Sequence, residues 1–375
     1  MDNQIISLTS KLISIPSWVD NKTNESQIGE FIYDFLIKNT SLKVKKEFVS
    51  KTRFNIIAQN SNQINNLVIG HIDTVQPSKS WTKNPIKPEI IGDKLYGLGS
   101  CDMKSGVAIM LSTATNKNLK PNTMFLFYID EEYDFVGTKK FIQDYQNKIK
   151  PKQIISLDGL NSSISNGCRG LIEISCTIKG KSGHASNPKC GINAITNSFI
   201  IFNKLSNWLD KISNPQLGST SINLAFINGG QYQGENSQGL ILGKQGNIIA
   251  DICRFTLDIR PNSSKITALK IIKFIAKAAK KQKVKLSNYS IRYDLGSWLT
   301  DKNQIPPITK KFNSIDKTGY IDIQLLWKTF KKVPCFTIGA GCITEAHKPD
   351  EFISIKKLQK LQKIINQLLN VKIQL

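Results

Sequence analysis

Only three histidines occur in the 375-residue chain: His71, His184 and His347. Each stands beside Gly, acidic or other polar residues where an apolar stretch ends or a loop begins, a setting suited to reactive imidazoles. His71 lies in Gly70-His71-Ile72-Asp73. In an extended segment residues i and i+2 share a face. Asp73 can therefore reach the back of the His71 ring, fix its tautomer and raise its basicity, as the outer partner of a metal-bound imidazole does. Taken alone, the pattern equally describes a surface His–Asp pair. Asp102 sits in Gly99-Ser100-Cys101-Asp102-Met103-Lys104-Ser105-Gly106, a Gly-flanked loop leading into a helix. A carboxylate there either bridges two cations or caps the helix. Asp130-Glu131-Glu132 ends an apolar run. Three consecutive acids repel one another unless a cation or proton offsets them. Such a string can divide labour between a metal ligand and a general base. Asp158 follows a further apolar run, and Ala346-His347-Lys348-Pro349-Asp350-Glu351 follows the last one. His71, Asp102, Glu132, Asp158 and His347 would make a mixed nitrogen and oxygen donor set without thiolate. That set suits two zinc ions, or manganese or cobalt, and not a structural site.

These residues need elements to bring them together. Segments 5–15 and 25–38 have helical periodicity, with Asn24 or Ser26 as candidate caps. Segment 66–70 reads as a short apolar strand ending at His71, and 123–129 as a buried strand ending at the acidic string. Segment 153–157 is a strand ending at Asp158, and 334–340 is another of the same apolar style. Turn signals at Gly92-Asp93 and Gly97-Leu98-Gly99 precede a helix over 104–116. Alternating strands and helices of this kind predict an α/β layer with a largely parallel sheet, whose strand ends gather ligands. After Gly170 the pattern changes. A half-exposed strand over 171–179 is followed by a helix at 192–212 and strands near 221–228 and 248–259. A Lys-rich helix at 264–281 and a strand at 284–294 complete the stretch. This order predicts a ferredoxin-like α+β unit. The expected organisation is a discontinuous catalytic domain (1–170 and 295–375) carrying an inserted domain (171–294).

Composition narrows the class. Hydrophobic residues make up 40% of the chain and charged residues 21%, which fits a folded chain with a real core and excludes disorder. No apolar run approaches the ~20 residues that span a bilayer, and the N-terminus lacks a secretory pattern. Seven cysteines at 101, 168, 176, 190, 253, 335 and 342 form no CxxC pair. A reduced, cytoplasmic protein without a disulfide frame is expected. The net charge is +23, from 51 basic and 28 acidic residues. Only five of the basic residues are Arg, and the Lys residues spread over the whole length among abundant Asn and Ile. That distribution points to codon bias and a solvated surface, and no nucleic-acid partner is expected. A residual field would favour anionic substrates.

With these strings in view the chain resembles the dinuclear zinc amidohydrolases and metallopeptidases. Their members include acetylornithine deacetylase, succinyl-diaminopimelate desuccinylase, carboxypeptidase G, aminoacylase and related dipeptidases. The resemblance rests on GHIDTV (70–75), YGLGSCDMKSG (96–106), DEE (130–132), KGKSGHASNPKCGINAI (179–195), GNII with DIRP (246–261) and AHKPDE (346–351). Trp81 ahead of Asn84-Pro85 also fits.

The resemblance implies roles. His71, Asp102 and Asp158 would bind one metal ion, and Asp102, Glu132 and His347 a second, with Asp102 bridging. Glu131 would be the general base and Asp73 would orient His71. His184 resembles a lid histidine that reaches the substrate carbonyl, commonly in the partner subunit of a homodimer formed through the inserted domain. Arg260, Asn247 and Arg169 resemble positions that bind a substrate carboxylate. The implied reaction is hydrolysis of an amide bond in an N-acyl amino acid, such as N-succinyl-diaminopimelate or N-acetylornithine, with short peptides as the alternative. Two departures bear on substrate. Asp158 occupies a position that is Glu in many deacylases and carboxypeptidases and Asp in several aminopeptidase and dipeptidase relatives. Tyr320, in KTGYIDIQ, stands where proteobacterial desuccinylases carry a Gly-Gly-Thr-Ser-type motif. A non-catalytic binding protein on the same fold and a nucleic-acid binder remain the competing classes.

Overall fold

A computed structural model describes residues 3–159, 163–306, 323–342 and 344–370. The chain starts with helices α1 (Asn3–Ile13) and α2 (Ser26–Asn39), then strands β1 (Lys43–Phe48), β2 (Phe54–Gln59), β3 (Asn66–His71) and β4 (Lys94–Tyr96). Helix α3 (Lys104–Ala114), β5 (Thr123–Tyr128), α4 (Val136–Tyr145), β6 (Gln153–Ser156) and β7 (Ile164–Ser165) follow. Next come β8 (Leu171–Lys179), α5 (Ala194–Leu209), β9 (Ser221–Asn236), β10 (Gly239–Gly243), β11 (Ile252–Arg260), α6 (Ala268–Lys281) and β12 (Lys285–Leu295). The chain ends with α7 (Ile323–Thr329), β13 (Cys335–Ile338), β14 (Phe352–Ser354) and α8 (Ile355–Leu369). Its contacts divide it into two units: the described residues up to Gly167 and from Leu299 onward, and Cys168–Trp298.

The first unit is built on a seven-stranded sheet of order β1-β2-β5-β3-β6-β13-β7. Its four middle strands, β5, β3, β6 and β13, are parallel, and antiparallel strands flank them on both sides. All six residues of β3 and of β5 are buried. A strand covered on both faces carries a continuous apolar run rather than an alternating one, which is how these segments read. Helices α1, α2, α3 and α8 join the sheet in one apolar cluster through residues such as Leu12, Ile32, Met110 and Leu361. Helix α8 starts at Ser354, whose hydroxyl accepts the Lys357 N–H. Gly70, next to His71, is a close-approach position. A Cβ there would stand 2.7 Å from Met103 Cε and 2.8 Å from Met110 Sδ, so a larger residue would make these two methionine side chains shift where α3 packs on β3.

The second unit has a five-stranded antiparallel sheet of order β10-β9-β11-β8-β12. Without the β10 extension this is the ferredoxin-like strand order. Alternate residues of β8 and β11 (Ile172, Ile174, Cys176 and Ile178; Cys253, Phe255, Leu257 and Ile259) face α5 and α6. The intervening residues lie on the opposite face and are partly exposed on β11. Two sequence expectations shift here. The strand expected over 221–228 continues to Asn236 and turns into β10, and the one expected from 248 begins at Ile252. In both places hairpin pairing across the sheet extends or trims what local alternation suggests. No helix among the described residues is long and apolar enough to cross a membrane.

Glu47 on β1 is 5% exposed. Burial, reinforced by the nearby Asp144 carboxylate, pushes its carboxyl up to about 7, against the stabilising Asn55 amide. An acid whose folded pKa exceeds its unfolded value binds more protons when folded. Stability therefore falls as pH rises from about 4.5 to 7, and the penalty is complete above 7. Glu47→Gln keeps an acceptor for Asn55 and removes the charge. The variant should match wild type in urea midpoint at pH 4 and exceed it by roughly 2–3 kcal/mol at pH 8; equal midpoints at both pH values would contradict this.

Candidate metal centre

The candidate ligands are delivered by the ends of the parallel strands and the loops that follow them. His71 closes β3, the acidic string follows β5, Asp158 follows β6 and His347 follows β13. Asp102 comes from the glycine-flanked loop before α3, where Gly99 takes φ +78° and a Cβ would press on Thr74 Cγ2 at 2.8 Å. The N-cap of α3 is Met103, with no side-chain cap. The capping alternative for Asp102 therefore does not hold; its carboxylate faces two imidazoles instead. His71 Nε2 is 3.1 Å from Asp102 Oδ1, His347 Nε2 is 3.3 Å from Asp102 Oδ2, and His347 Nε2 is 2.9 Å from Glu132 Oε1.

Three overlapping triads present one donor atom per residue within 4.8 Å of one another: His71, Asp102 and Asp158; Asp102, Glu132 and His347; and His71, Glu131 and Glu132. Asp102 belongs to the first two, as a bridging carboxylate would. All five expected ligands and Glu131 thus come together. The donors are imidazole and carboxylate only, the set that fits zinc, cobalt or manganese at an open catalytic site.

The electrostatics have the same origin. The carboxylates of Asp102 and Glu132 hold the His347 imidazole up at about 10. Burial opposes the charge on His71, but Asp102 and Asp73 outweigh it and raise its pKa. Burial also pushes Asp102 upward, and the two imidazoles more than offset it, so this carboxyl stays below its usual range. Burial raises Glu132 despite the nearby His347. The cluster has an excess of negative charge that positive charge at its centre relieves.

Asp73 does more than the sequence suggests. His71 Nδ1 lies 3.1 Å from the Asp73 carbonyl oxygen and 3.5 Å from its carboxylate. A proton on Nδ1 serves the carbonyl and leaves the Nε2 lone pair for a metal. The Asp73 carboxylate, fully buried, accepts the N–H groups of Glu131 at 3.1 Å and Glu132 at 3.0 Å, one on each oxygen. Asp130, at φ +71°, accepts the N–H groups of Asp134 and Val136 and pairs with Arg53. Arg53 also binds both oxygens of buried Glu25, at 2.8 and 2.6 Å. The repulsion expected within the acidic string is thus relieved at Asp130 by an arginine from β2's leading loop. Sequence reasoning missed Arg53 and Glu25. The available signal was that Arg53 is one of only five arginines.

His184, Asn247, Arg169 and Arg260 belong to the second unit, and there they fall into two pairs. His184 and Asn247 share a short ladder: Ala185 N–H donates to Asn247 O and Ile249 N–H to Gly183 O, both at 2.8 Å. His184 Nδ1 receives the Ser186 N–H at 3.3 Å and sits 2.7 Å from Ser186 Oγ. With Nδ1 as acceptor, Nε2 carries the proton and is a donor. Arg169 donates to Ser219 O and Ser221 Oγ, and Ser221 lies across the sheet from Arg260. Arg260 binds Asp258 bidentately at 2.8 and 3.0 Å on the sheet face opposite the helices. Asn247 and the two arginines therefore lie at different places in the second unit. Lys179 pairs with Ile252 and Ile172 with Ile259, so the two pairs occupy opposite ends of β8. Seven residues of strand separate these two registers, about 23 Å. Tyr320 lies outside the described residues.

Imidazoles and carboxylates converging at the strand ends of a mainly parallel α/β sheet define a metal-dependent hydrolase. A model of peptidase family M20/M25/M40 matches residues 67–371, and the chain belongs to that family. It is 26% identical to acetylornithine deacetylase of Buchnera aphidicola subsp. Acyrthosiphon pisum over 391 residues, 97% of each chain. It is 28% identical to succinyl-diaminopimelate desuccinylase of Pelagibacter ubique over 400 residues, again 97% of each. Among solved structures, aminopeptidase PepT of Bacillus cereus has the same fold, with TM-score 0.76 and 18% identity over 98% of both chains. So does YXEP of Bacillus subtilis, a dinuclear metal binding peptidase from the M20 family. Its TM-score is 0.69 at 15% identity, covering 98% of this chain and 96% of that one.

Glu131 and Glu132 share one triad with His71, and the family resemblance gives the two acids different roles. Glu132→Gln should lower the metal content of purified protein, because Glu132 meets His347 and Asp102. Glu131→Gln should retain its metal and lose ~10²–10⁴-fold in turnover, the contribution of a positioned base. Elemental analysis beside turnover decides it, and the opposite pattern would exchange the two roles.

Proposed function

We propose that the chain hydrolyses the amide bond of an N-acyl amino acid, of the desuccinylase or deacetylase type, with two divalent ions per chain. The convergence of three ligand triads on Asp102, Glu132 and His71 carries this reading, and the names of the relatives support the acyl amino acid class. His71, Asp102 and Asp158 would hold one ion and Asp102, Glu132 and His347 the other, zinc first, with cobalt or manganese as alternatives. Ions so held acidify a water and polarise the substrate carbonyl.

The chain's own residues do the rest. Glu131 takes a proton from the attacking water, whose oxygen bonds to the carbonyl carbon. As the C–N bond breaks, Glu131 returns that proton to the departing amine nitrogen. Asp73 keeps Glu131 in place through its backbone N–H. His184 Nε2–H donates to the carbonyl oxygen as negative charge develops there. Arg260, an arginine in a Lys-rich chain, offers a planar fork to a substrate carboxylate and would share it with Asp258.

About 23 Å of strand between the two pairs is longer than one small substrate. In a homodimer formed through the inserted unit, as the family resemblance implies, His184 of one chain would serve the partner's metal centre. A second reading, a dipeptidase or aminopeptidase, is favoured by Asp158 and by the fold shared with PepT.

Chelation should abolish activity, and Zn²⁺, Co²⁺ or Mn²⁺ should restore it. A hydrolysis panel on metal-loaded protein should rank N-succinyl and N-acetyl diamino acids above dipeptides, and carboxyl-blocked analogues should fail. Faster dipeptide cleavage would establish the second reading. His184→Ala should lower kcat by ~10²–10³-fold with normal metal content. Mixing it with Glu131→Gln should restore part of the activity, since a mixed dimer has one site with both residues intact. Exchanging subunits without complementation would overturn the in-trans role.

A further inference from the structure

One acidic residue of the Ala346–Glu351 string has no part in the mechanism, yet it is 2% exposed. Glu351 follows His347 by four residues and precedes β14, which pairs with β4 from Phe352 opposite Tyr96. Its carboxylate forms no ion pair among the described residues. It accepts three backbone N–H groups instead: Gly99 at 2.9 Å on Oε2, and Cys101 at 2.7 Å and Asp102 at 3.0 Å on Oε1. Its carbonyl accepts the N–H of Gly97 at 2.9 Å. Four N–H groups of the loop carrying Asp102 are thus held by one residue. Neighbouring Asp350 accepts the N–H groups of Thr82 and Lys83 at 3.0 and 2.9 Å, which fastens the same segment on its other side.

These contacts close a ring. The Asp102 carboxylate meets the His347 ring, and the Asp102 N–H meets Glu351, four residues further along. The two residues come from segments almost 250 positions apart in sequence, so nothing local sets their separation. We infer that Glu351 is a positioning residue that fixes Asp102 relative to His347 and thereby sets the affinity for the ion held between them, without touching ion or substrate. The inference rests on the metal reading above. A carboxylate suits the task because two oxygens can accept three converging donors. The amide of Gln offers one acceptor oxygen and would turn its own NH₂ toward an N–H.

The test uses Glu351→Gln and Glu351→Asp in the full chain, with Leu358→Ala in the α8 core as a destabilised control. In metal-free protein, hydrogen exchange over 97–104 should rise at least tenfold in Glu351→Gln and remain as in wild type in Leu358→Ala. Titration with Co²⁺ alone should show the weaker binding step reduced about 10–100-fold in Glu351→Gln, the usual size for losing an outer support. It should show a partial return in Glu351→Asp and no change in Leu358→Ala. Activity of Glu351→Gln should recover as Co²⁺ is raised. Wild-type exchange or wild-type Co²⁺ affinity in Glu351→Gln would overturn the proposal, as would an equal loss of affinity in Leu358→Ala at the same Tm. A wild-type chain that takes up no Co²⁺ would overturn the metal reading and this inference together. The exchange data, read without metal, distinguish that failure from a failure of the clamp alone.

Discussion

Holding several carboxylates in one place is the constraint on which this site depends. Two unit charges of like sign 4 Å apart repel by about 4 kcal/mol at the effective dielectric near a protein surface. Asp73, Asp102, Glu131, Glu132 and Asp158 gather around two imidazoles. The chain handles the repulsion with directed donors. Asp73 takes two backbone N–H groups from the acidic string, Asp130 takes two more and an arginine, and Glu351 takes three from the Asp102 loop. At Asp73 and Glu351 a buried carboxylate that is not itself a candidate ligand organises backbone that carries one, and Asp130 closes the turn that follows the acidic string. Donors fixed in advance need not reorganise when a charge arrives, which is the general route to a preorganised electrostatic site.

The sheet makes this possible. Four parallel strands end on the same side, and the loops after β3, β5, β6 and β13 deliver ligands from segments far apart in sequence. Close packing beneath them matters equally. Gly70 lets α3 approach β3, and the same helix fixes the far end of the Asp102 loop. The candidate chemistry therefore rests on a rigid apolar layer, with only the outermost ligand, His347, half exposed.

The second unit is marked by the length of its central strands. Strand β8 separates His184 and Asn247 from Arg169 and Arg260 by a distance longer than a small substrate. A single antiparallel ladder thus runs between residues to which the family resemblance gives substrate-binding roles. The Ser186 N–H on His184 Nδ1 settles another detail, because it makes Nε2 the donor.

Much of this was legible in the sequence because of short-range rules. Continuous apolar runs marked the central strands, and ligand-type residues at their ends marked the site. The scarcity of histidine made His71, His184 and His347 conspicuous. Boundaries were less legible where pairing across the sheet decides them, as in the extension of β9 to Asn236. What stayed hidden are long-range hydrogen bonds: those of Arg53 and Glu25 behind Asp130, of Asp73 beneath Glu131 and Glu132, and of Glu351 beneath Asp102. Residue type and spacing determined which atoms could bind a cation, because donor chemistry belongs to the side chain. Only the tertiary structure decided how those atoms are aimed and neutralised, because a backbone N–H is the same at every position until the fold gives it a direction.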